Sequence, residues 1–156
     1  MSVRGGRIGI VDNNVDNFHS KVYLAALRNE LKSRGFTVAG CNGLQEGPSR
    51  AWAEKNAVAY FADVTQMDPH VDYYMVLAPS NPETHLDLCK RVFPFKKPTY
   101  VDKPFAQNLA TARKIFVLAD RHGIRVQTSS ALRYSNFQAY VREVAPAAVH
   151  HVAAWG

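Results

Sequence analysis

Short apolar runs alternate with amphipathic stretches along almost the whole chain. Six runs combine β-branched, aromatic and other apolar residues between polar or turn residues, which is typical of strands buried in a sheet. They cover residues 7–12, 36–41, 58–62, 72–77, 98–101 and 124–128, of which 58–62 is the weakest. The pattern therefore predicts six strands.

Stretches with helical spacing of apolar residues separate these runs. The predicted helices cover residues 20–34, 47–56, 82–93, 108–122 and 137–144, with a single helical turn at 64–67. Asn81 suits an N-cap and Pro82 a first helical position, whereas Gly35 and Gly123 suit helix ends. A further strand is predicted over residues 149–155.

Alternation of strands and helices with short connections predicts an α/β fold, a doubly wound and mostly parallel sheet of the Rossmann-like kind. The 156 residues suffice for one domain with a real core. We assign residues 1–134 to that domain. The last predicted strand has no successor, so residues 135–156 are expected to begin a C-terminal substrate domain that is largely absent.

The net charge of +6 and the sequence pI of about 9.5 raise the question of a nucleic-acid partner. The basic residues are scattered, however, and no arginine-rich arm, RNP-like aromatic pattern or zinc finger is present. Ordinary surface charge is therefore the favoured interpretation. Cys41 and Cys89 lack metal or disulfide spacing and are expected to be buried, and no metal site is predicted.

The chain carries no signal for a membrane. No apolar run approaches the roughly 20 residues that a membrane-spanning helix needs. The first residues, Met-Ser-Val-Arg-Gly-Gly-Arg, lack the apolar centre of a signal peptide. We therefore expect no membrane association and a cytoplasmic location.

The turn after the first predicted strand has polar residues where a dinucleotide-binding domain needs glycines. The Gly-x-Gly-x-x-Gly pattern lets backbone approach the pyrophosphate and lets the helix pack close to the strand. Asp12, Asn14 and Asn17 occupy its three positions. A carboxylate about 4 Å from a phosphate charge is repelled by roughly 4 kcal/mol at an effective dielectric constant of about 20, or about a thousandfold in affinity. The phosphate-binding turn is therefore expected to be degenerate.

The end of the second predicted strand also departs from the dinucleotide-binding pattern. An Asp or Glu at this place bonds the adenosine ribose, but the strand ends in Cys41-Asn42-Gly43. The Asn42 amide still offers a donor and an acceptor to a ribose hydroxyl. We therefore predict Asn42 as the ribose ligand in place of the acid.

Asp102, Lys103 and Pro104 follow directly after the fifth predicted strand, with a long helix behind them. Open α/β sheets bind ligands at the carboxyl ends of their strands, so these charged residues are placed for a ligand site. The alternative is an ordinary turn with an ion pair at the surface. The local pattern does not decide between the two.

Three segments in order resemble the Gfo/Idh/MocA family of NAD(P)-dependent oxidoreductases. A strand leads through a turn with Pro79 to a helix that bears His85, and the next strand ends in Asp102-Lys103-Pro104, where the family has Glu-Lys-Pro. After another helix and strand comes the pair Arg133-Tyr134. The resemblance spans essentially the whole chain.

The resemblance implies a Rossmann domain that binds NAD or NADP and transfers hydride at a hydroxyl of a sugar or polyol. It implies that Lys103 is catalytic and that Lys103 and Arg133 bind the substrate. Together with the turn and Asn42 discussed above, the implied cofactor-binding residues are Asp12, Asn14, Asn17, Asn42, Ser80, His85, Asp102 and Pro104. The family's second domain supplies further substrate and catalytic residues, so this chain alone is expected to be inactive, and apolar surface left uncovered favours a homo-oligomer.

Two other interpretations stay open. The chain is alternatively a non-catalytic binding or scaffold module that kept the sheet and lost the dinucleotide, which the missing glycines favour. A nucleic-acid binder, argued from charge, ranks below both. His19 lies near the start of the first helix, where the family often has a histidine, and is interpreted as structural; His150 and His151 point to opposite faces of a strand and are not expected to share a metal.

Overall fold

The computed structural model describes residues 5–143. Five strands form one sheet: β1 (Gly6–Asp12), β2 (Phe36–Gly43), β3 (Tyr73–Val76), β4 (Thr99–Val101) and β5 (Val126–Gln127). Their order is β2-β1-β3-β4-β5, and every neighbouring pair is parallel. The carboxyl ends of all five strands therefore lie along one edge. The strand predicted over 149–155, with His150 and His151, lies outside the described residues.

The described part of the chain has six α-helices that connect and flank the strands: α1 (Phe18–Arg28), α2 (Glu46–Lys55), α3 (Val64–Met67), α4 (His85–Val92), α5 (Leu109–His122) and α6 (Asn136–Glu143). Single 3-10 turns extend several of them, at Lys32–Arg34, Asp68–His70, Pro82–Thr84, Phe93–Phe95 and Ala131–Tyr134. Among the described residues, no helix is long and apolar enough to cross a membrane.

Helices cover both faces of the sheet, as the doubly wound prediction requires. Ile10 and Val11 are neighbours in β1 and enter different core clusters, because successive strand residues point to opposite faces. Ile10 packs with residues of α1 and α2, whereas Val11 packs with residues of α3, α4 and α5. Cys41 and Cys89 are buried free thiols, as expected from the sequence.

The prediction of a strand over 58–62 is wrong, so the sheet has five strands among the described residues rather than six. Only one parallel bridge joins Cys41 to Tyr60. The Asn42 side chain donates to the carbonyl oxygens of Phe61 and Ala62, at 2.7 and 3.2 Å, and the Phe61 oxygen is the one that the next bond of a longer ladder would use. The chain then turns into α3, where the Asp63 carboxylate caps the helix by accepting the Thr65 N–H.

Two helix boundaries also differ from the sequence predictions. Helix α1 ends at Arg28 rather than Arg34, because the Asn29 side-chain amide and backbone N–H both bond the carbonyl of Ala25. Asn81 does not cap through its side chain; that amide contacts Asn13 and Glu83 instead. The helix consequently starts as a 3-10 turn at Pro82 and becomes α-helical at His85.

Candidate functional site

Three loops meet along the carboxyl edge of the sheet: the β1–α1 turn, the β3–α4 turn and the segment that follows β4. Side-chain contacts join them. The Asn13 amide donates to the Asn81 side-chain oxygen at 3.1 Å, connecting the first two loops. His19 of α1 contacts Asp102 after β4, and this contact connects the first loop to the third. This edge is where an open parallel sheet binds its ligands.

Asp12 is the last residue of β1, and its side chain is buried, with 1% of the residue exposed. Its carboxylate accepts the Asn14 backbone N–H at 3.1 Å and the Asn17 side-chain N–H at 2.7 Å. Burial raises the pKa of Asp12 to about 6, although hydrogen bonds from Asn17, Asn14, Ala78 and Asn13 oppose the increase. The N–H groups of the turn are therefore directed at a carboxylate of the protein itself.

The two asparagines at the other glycine positions complete this network. Asn17 is the N-cap of α1, since its side-chain oxygen accepts the Ser20 N–H at 3.1 Å. Its amide nitrogen donates to Asp12 and also to the Asn14 carbonyl, the latter at 2.7 Å. The Asn14 side chain accepts the Asp16 N–H at 2.9 Å. Side chains of the turn thus satisfy groups that glycines would leave open to a ligand.

Asn42, predicted to bind a ribose, is buried at the end of β2. Its amide nitrogen donates to Phe61 and Ala62, as described above, and its oxygen accepts from the Arg91 guanidinium at 3.2 Å. Every polar atom of this side chain therefore has a partner within the domain. A ribose ligand would have to share them, and the ribose role stays a prediction.

The β3–α4 turn places its two predicted residues differently. Ser80 is exposed at the sheet edge. His85 is fully buried, and its ring nitrogens lie 3.0 Å from the Phe105 carbonyl oxygen and 2.8 Å from the Leu77 carbonyl oxygen. His85 thereby connects the end of β3 to the loop after β4, and this position makes it a support of the site rather than part of its surface.

The segment after β4 contains one buried and two exposed residues. Asp102 is 1% exposed; one carboxylate oxygen contacts His19 Nδ1, and the other accepts the Tyr100 hydroxyl at 3.2 Å. Lys103 and Pro104 are exposed, and the peptide bond between them is cis. The alternative of a surface ion pair is wrong, because Asp102 is buried and its partner is His19.

A chain of polar contacts extends from buried Asp102 to half-buried side chains. The Tyr100 hydroxyl has one proton, which Asp102 and the Ser129 carbonyl oxygen at 2.8 Å compete for, and its oxygen lies 3.4 Å from the Tyr23 hydroxyl. Burial is the main cause that raises the pKa of both tyrosines. A cavity of about 340 Å³ opens beside them, lined by Tyr23, Met75, Tyr100, Gln127, Ser129, Ser130 and Tyr134. Lys103 is not among these lining residues.

The sequence interpretation missed this group of side chains. His19 was interpreted as structural, and neither tyrosine was singled out. The signal was present in the spacing, because His19 and Tyr23 are four residues apart on one face of α1, and Tyr100 and Asp102 are two residues apart on one side of β4. The order of the strands in the sheet brings the two pairs together, and this order is not visible in the spacing of either pair.

Arg133, predicted to bind substrate, is exposed on the single turn Ala131–Tyr134 that follows β5. Within residues 5–143 its guanidinium makes no hydrogen bond; its backbone carbonyl accepts from Arg142 at 3.2 Å. The side chain is thus accessible to a ligand, and its substrate role stays a prediction.

Solved structures with a similar fold include dehydrogenases and a reductase. A probable dehydrogenase from Thermotoga maritima has 19% identity and a TM-score of 0.72, with 88% of this chain and 40% of that chain covered. Biliverdin reductase from Synechocystis sp. PCC 6803, in complex with biliverdin and NADP+, has 16% identity and a TM-score of 0.69, with 88% and 42% covered. The WlbA dehydrogenase from Bordetella pertussis, in complex with NADH and UDP-GlcNAcA, has 16% identity and a TM-score of 0.73, with 88% and 40% covered.

These structures establish the fold, and the chain spans about two fifths of their lengths. No protein of curated function matches the sequence. A family model does match, over residues 10–130, and it describes an oxidoreductase family with an NAD-binding Rossmann fold. The chain therefore belongs to the Gfo/Idh/MocA family of NAD(P)-binding oxidoreductases.

Proposed function

We propose that this chain is the cofactor-side part of an NAD(P)-dependent oxidoreductase that acts at a hydroxyl group of a sugar or polyol. Family membership supports the reaction class. The WlbA dehydrogenase and the UDP-N-acetylglucosamine 3-dehydrogenase from Acidithiobacillus ferrooxidans support a sugar-like substrate by analogy. The observation that carries the proposal is the end of β4, where a buried, bonded Asp102 precedes an exposed Lys103.

Each residue at this end has a physical role in the proposal. The contacts of Asp102 with His19 and Tyr100 fix the backbone from which Lys103 projects. The Lys103 ammonium group has no ion-pair partner among residues 5–143, so it is available to hold a substrate hydroxyl and to exchange a proton with it. Arg133 contributes a second cation for substrate binding.

The residues after β4 are available to a substrate, but the β1–α1 turn is not equally available to a dinucleotide. A bound pyrophosphate would need the N–H groups that the Asp12 carboxylate already accepts. The turn therefore does not accommodate a pyrophosphate in the usual position while Asp12 is ionised.

Ligand binding tests the substrate part of the proposal without requiring turnover. Saturation-transfer NMR on the full chain would measure binding of polyols, hexoses and UDP-sugars to the wild type and to Lys103→Met. We expect loss of binding for Lys103→Met, and none for Lys55→Met, which removes an exposed lysine at the far end of α2. Equal binding by all three proteins would contradict the role of Lys103.

The second candidate is a non-catalytic Rossmann module without dinucleotide. The closed networks around Asp12 and Asn42 favour it. Thermal denaturation with NAD(H) and NADP(H) at millimolar concentration separates the two functions, because a ligand at a hundred times its dissociation constant adds about 2.7 kcal/mol of stability. An absent shift between about pH 5 and pH 8 would support the non-catalytic module.

A further inference from the structure

Asp12 has the position and the contacts of an anion bound at the start of a helix. It lies at the end of β1, directly before the turn that leads to α1. Its two oxygens receive the Asn14 backbone N–H and the Asn17 side-chain N–H. Dinucleotide-binding turns present backbone N–H groups, such as that of Asn14, to the pyrophosphate.

No cation among residues 5–143 compensates this carboxylate. Among the described residues Asp12 takes part in no ion pair, and all the donors that contact it are neutral. An ionised carboxyl group that is buried without a cation is costly, so protonation is favoured. The pKa of about 6 caused by burial agrees with this view.

The titratable groups on the surrounding elements have other partners. On the turn and α1, Asp16 pairs with Lys21 at 2.8 Å, and His19 contacts Asp102. On α2, Glu46 pairs with Arg50 at 2.6 Å.

On the β3–α4 side, Glu83 accepts from Asn81 at 2.9 Å, and His85 contacts two backbone carbonyls. The charge state of Asp12 therefore depends mainly on its burial and on the N–H groups of the turn.

We propose that the Asp12 carboxylate is a built-in competitor of the cofactor pyrophosphate: ionised, it occupies the anion position of the β1–α1 turn, and protonation or removal of the carboxylate opens that position to a nicotinamide dinucleotide. The proposal deepens the proposed function and rests on it. It predicts a cofactor affinity that depends on pH through one carboxyl group.

The expected change in cofactor affinity follows from the fraction of protein in which Asp12 is protonated. The apparent dissociation constant equals the intrinsic constant divided by the fraction in the binding state. With a pKa of about 6, most Asp12 is protonated at about pH 5 and about one molecule in a hundred at about pH 8. The affinity of the wild type for NADH and NADPH should therefore fall on the order of a hundredfold between these two values.

Three variants of the full chain test the proposal by fluorescence titration with NADH, NADPH and inorganic pyrophosphate. Asp12→Asn keeps the shape of the side chain and removes its charge, and Asp12→Gly restores the family residue. We expect both to bind the dinucleotides at about pH 8 on the order of a hundredfold more tightly than the wild type, with little dependence on pH. Asp16→Asn removes the same charge from an exposed position of the same turn and should behave as the wild type.

The outcomes separate this proposal from the proposed function. If the wild type binds equally at both pH values and as tightly as Asp12→Asn, the competition is refuted while the oxidoreductase function stands. If folded Asp12→Asn and Asp12→Gly bind neither dinucleotide at either pH, both the competition and the cofactor are refuted. Circular dichroism of each variant establishes folding, and the isosteric Asp12→Asn serves if the glycine variant unfolds.

Discussion

Two buried carboxylates lie on the same edge of the sheet in different surroundings. Asp12 and Asp102 are each 1% exposed. Asp102 contacts His19 and the Tyr100 hydroxyl, whereas Asp12 contacts only neutral donors among the described residues. A buried charge is tolerated when it is paired and costly when it is not. Removing Asp102 should therefore destabilise the domain, and neutralising Asp12 should stabilise it at neutral pH.

The difference also separates two kinds of departure from the family pattern. Asp102 lies where the family resemblance leads us to expect Glu, and an exposed lysine follows it directly. Asp12 replaces a glycine, and the neighbouring asparagines bond to it. The first change keeps a carboxylate at the strand end, whereas the second introduces a carboxylate that accepts N–H groups of the turn.

The largest expected effect is the loss of Asp102. Asp102→Ala removes the carboxylate that His19 and the Tyr100 hydroxyl contact, and since hydrogen bonds to a charged group contribute roughly 1.5–3 kcal/mol each, we expect a loss of about 3 kcal/mol. Urea denaturation measures the change in the free energy of unfolding. Asp72→Ala is the control, because its ion pair with Arg7 is at the surface and should matter far less. Equal losses in both variants would contradict the buried role of Asp102.

The second effect is a pH dependence of stability that comes from Asp12. Its folded-state pKa of about 6 lies above the ordinary value of 3.8, so its contribution is fully present below about pH 4 and is lost as pH rises through 6. The loss between about pH 4 and pH 7 should be about 2 kcal/mol. Urea denaturation of the wild type across this range measures it.

Asp12→Asn provides the reference for that measurement, because other groups also titrate in this range. The difference in the free energy of unfolding between the wild type and Asp12→Asn isolates the contribution of one carboxyl group. Between about pH 4 and pH 7, the free energy of unfolding should fall less in the variant than in the wild type. A difference that does not change with pH would show that the folded protein holds Asp12 with an ordinary pKa.

Much of the fold follows from sequence periodicity. The five strands, their parallel order and the two covered faces agree with the alternation of apolar runs and amphipathic stretches. The run over 58–62 makes only one bridge with β2, and beyond it the Asn42 amide, distant in sequence, bonds the carbonyls of Phe61 and Ala62. A residue's own propensity contains no information on such contacts.

The site was predictable only in part, for the same reason. Asp102 and Lys103 could be placed at a strand end from local pattern. The contact between Asp102 and His19 joins positions 83 residues apart, so it depends on the order of strands in the sheet. The position of Asp12 was predictable as a conflict with phosphate, but the N–H groups that bond its carboxylate become visible only in three dimensions.

A third prediction compares two asparagine caps. Asn17 caps α1 and also donates to Asp12, whereas Asn108 caps α5 by accepting the Thr111 N–H at 2.9 Å and contacts no carboxylate. Asn108→Ala should cost about 1 kcal/mol, and Asn17→Ala about 2 kcal/mol, because it also removes a donor from a buried carboxylate. Thermal or urea denaturation measures both. The additional destabilisation of Asn17→Ala over Asn108→Ala should shrink at about pH 4, where Asp12 is protonated. If the difference does not depend on pH, the loss of the cap alone explains it.

The smallest expected effect on stability belongs to Lys103. Its side chain is exposed and has no ion-pair partner in the described part of the chain, so Lys103→Met should change the free energy of unfolding by no more than about 0.5 kcal/mol. Urea denaturation of the variant and the wild type at about pH 7 provides the comparison. A stability that stays constant while binding of a sugar or polyol is lost would mean that the lysine acts on a ligand rather than on the fold. A loss above 1 kcal/mol would instead assign Lys103 to the packing around Asp102 and remove the physical basis for its substrate role.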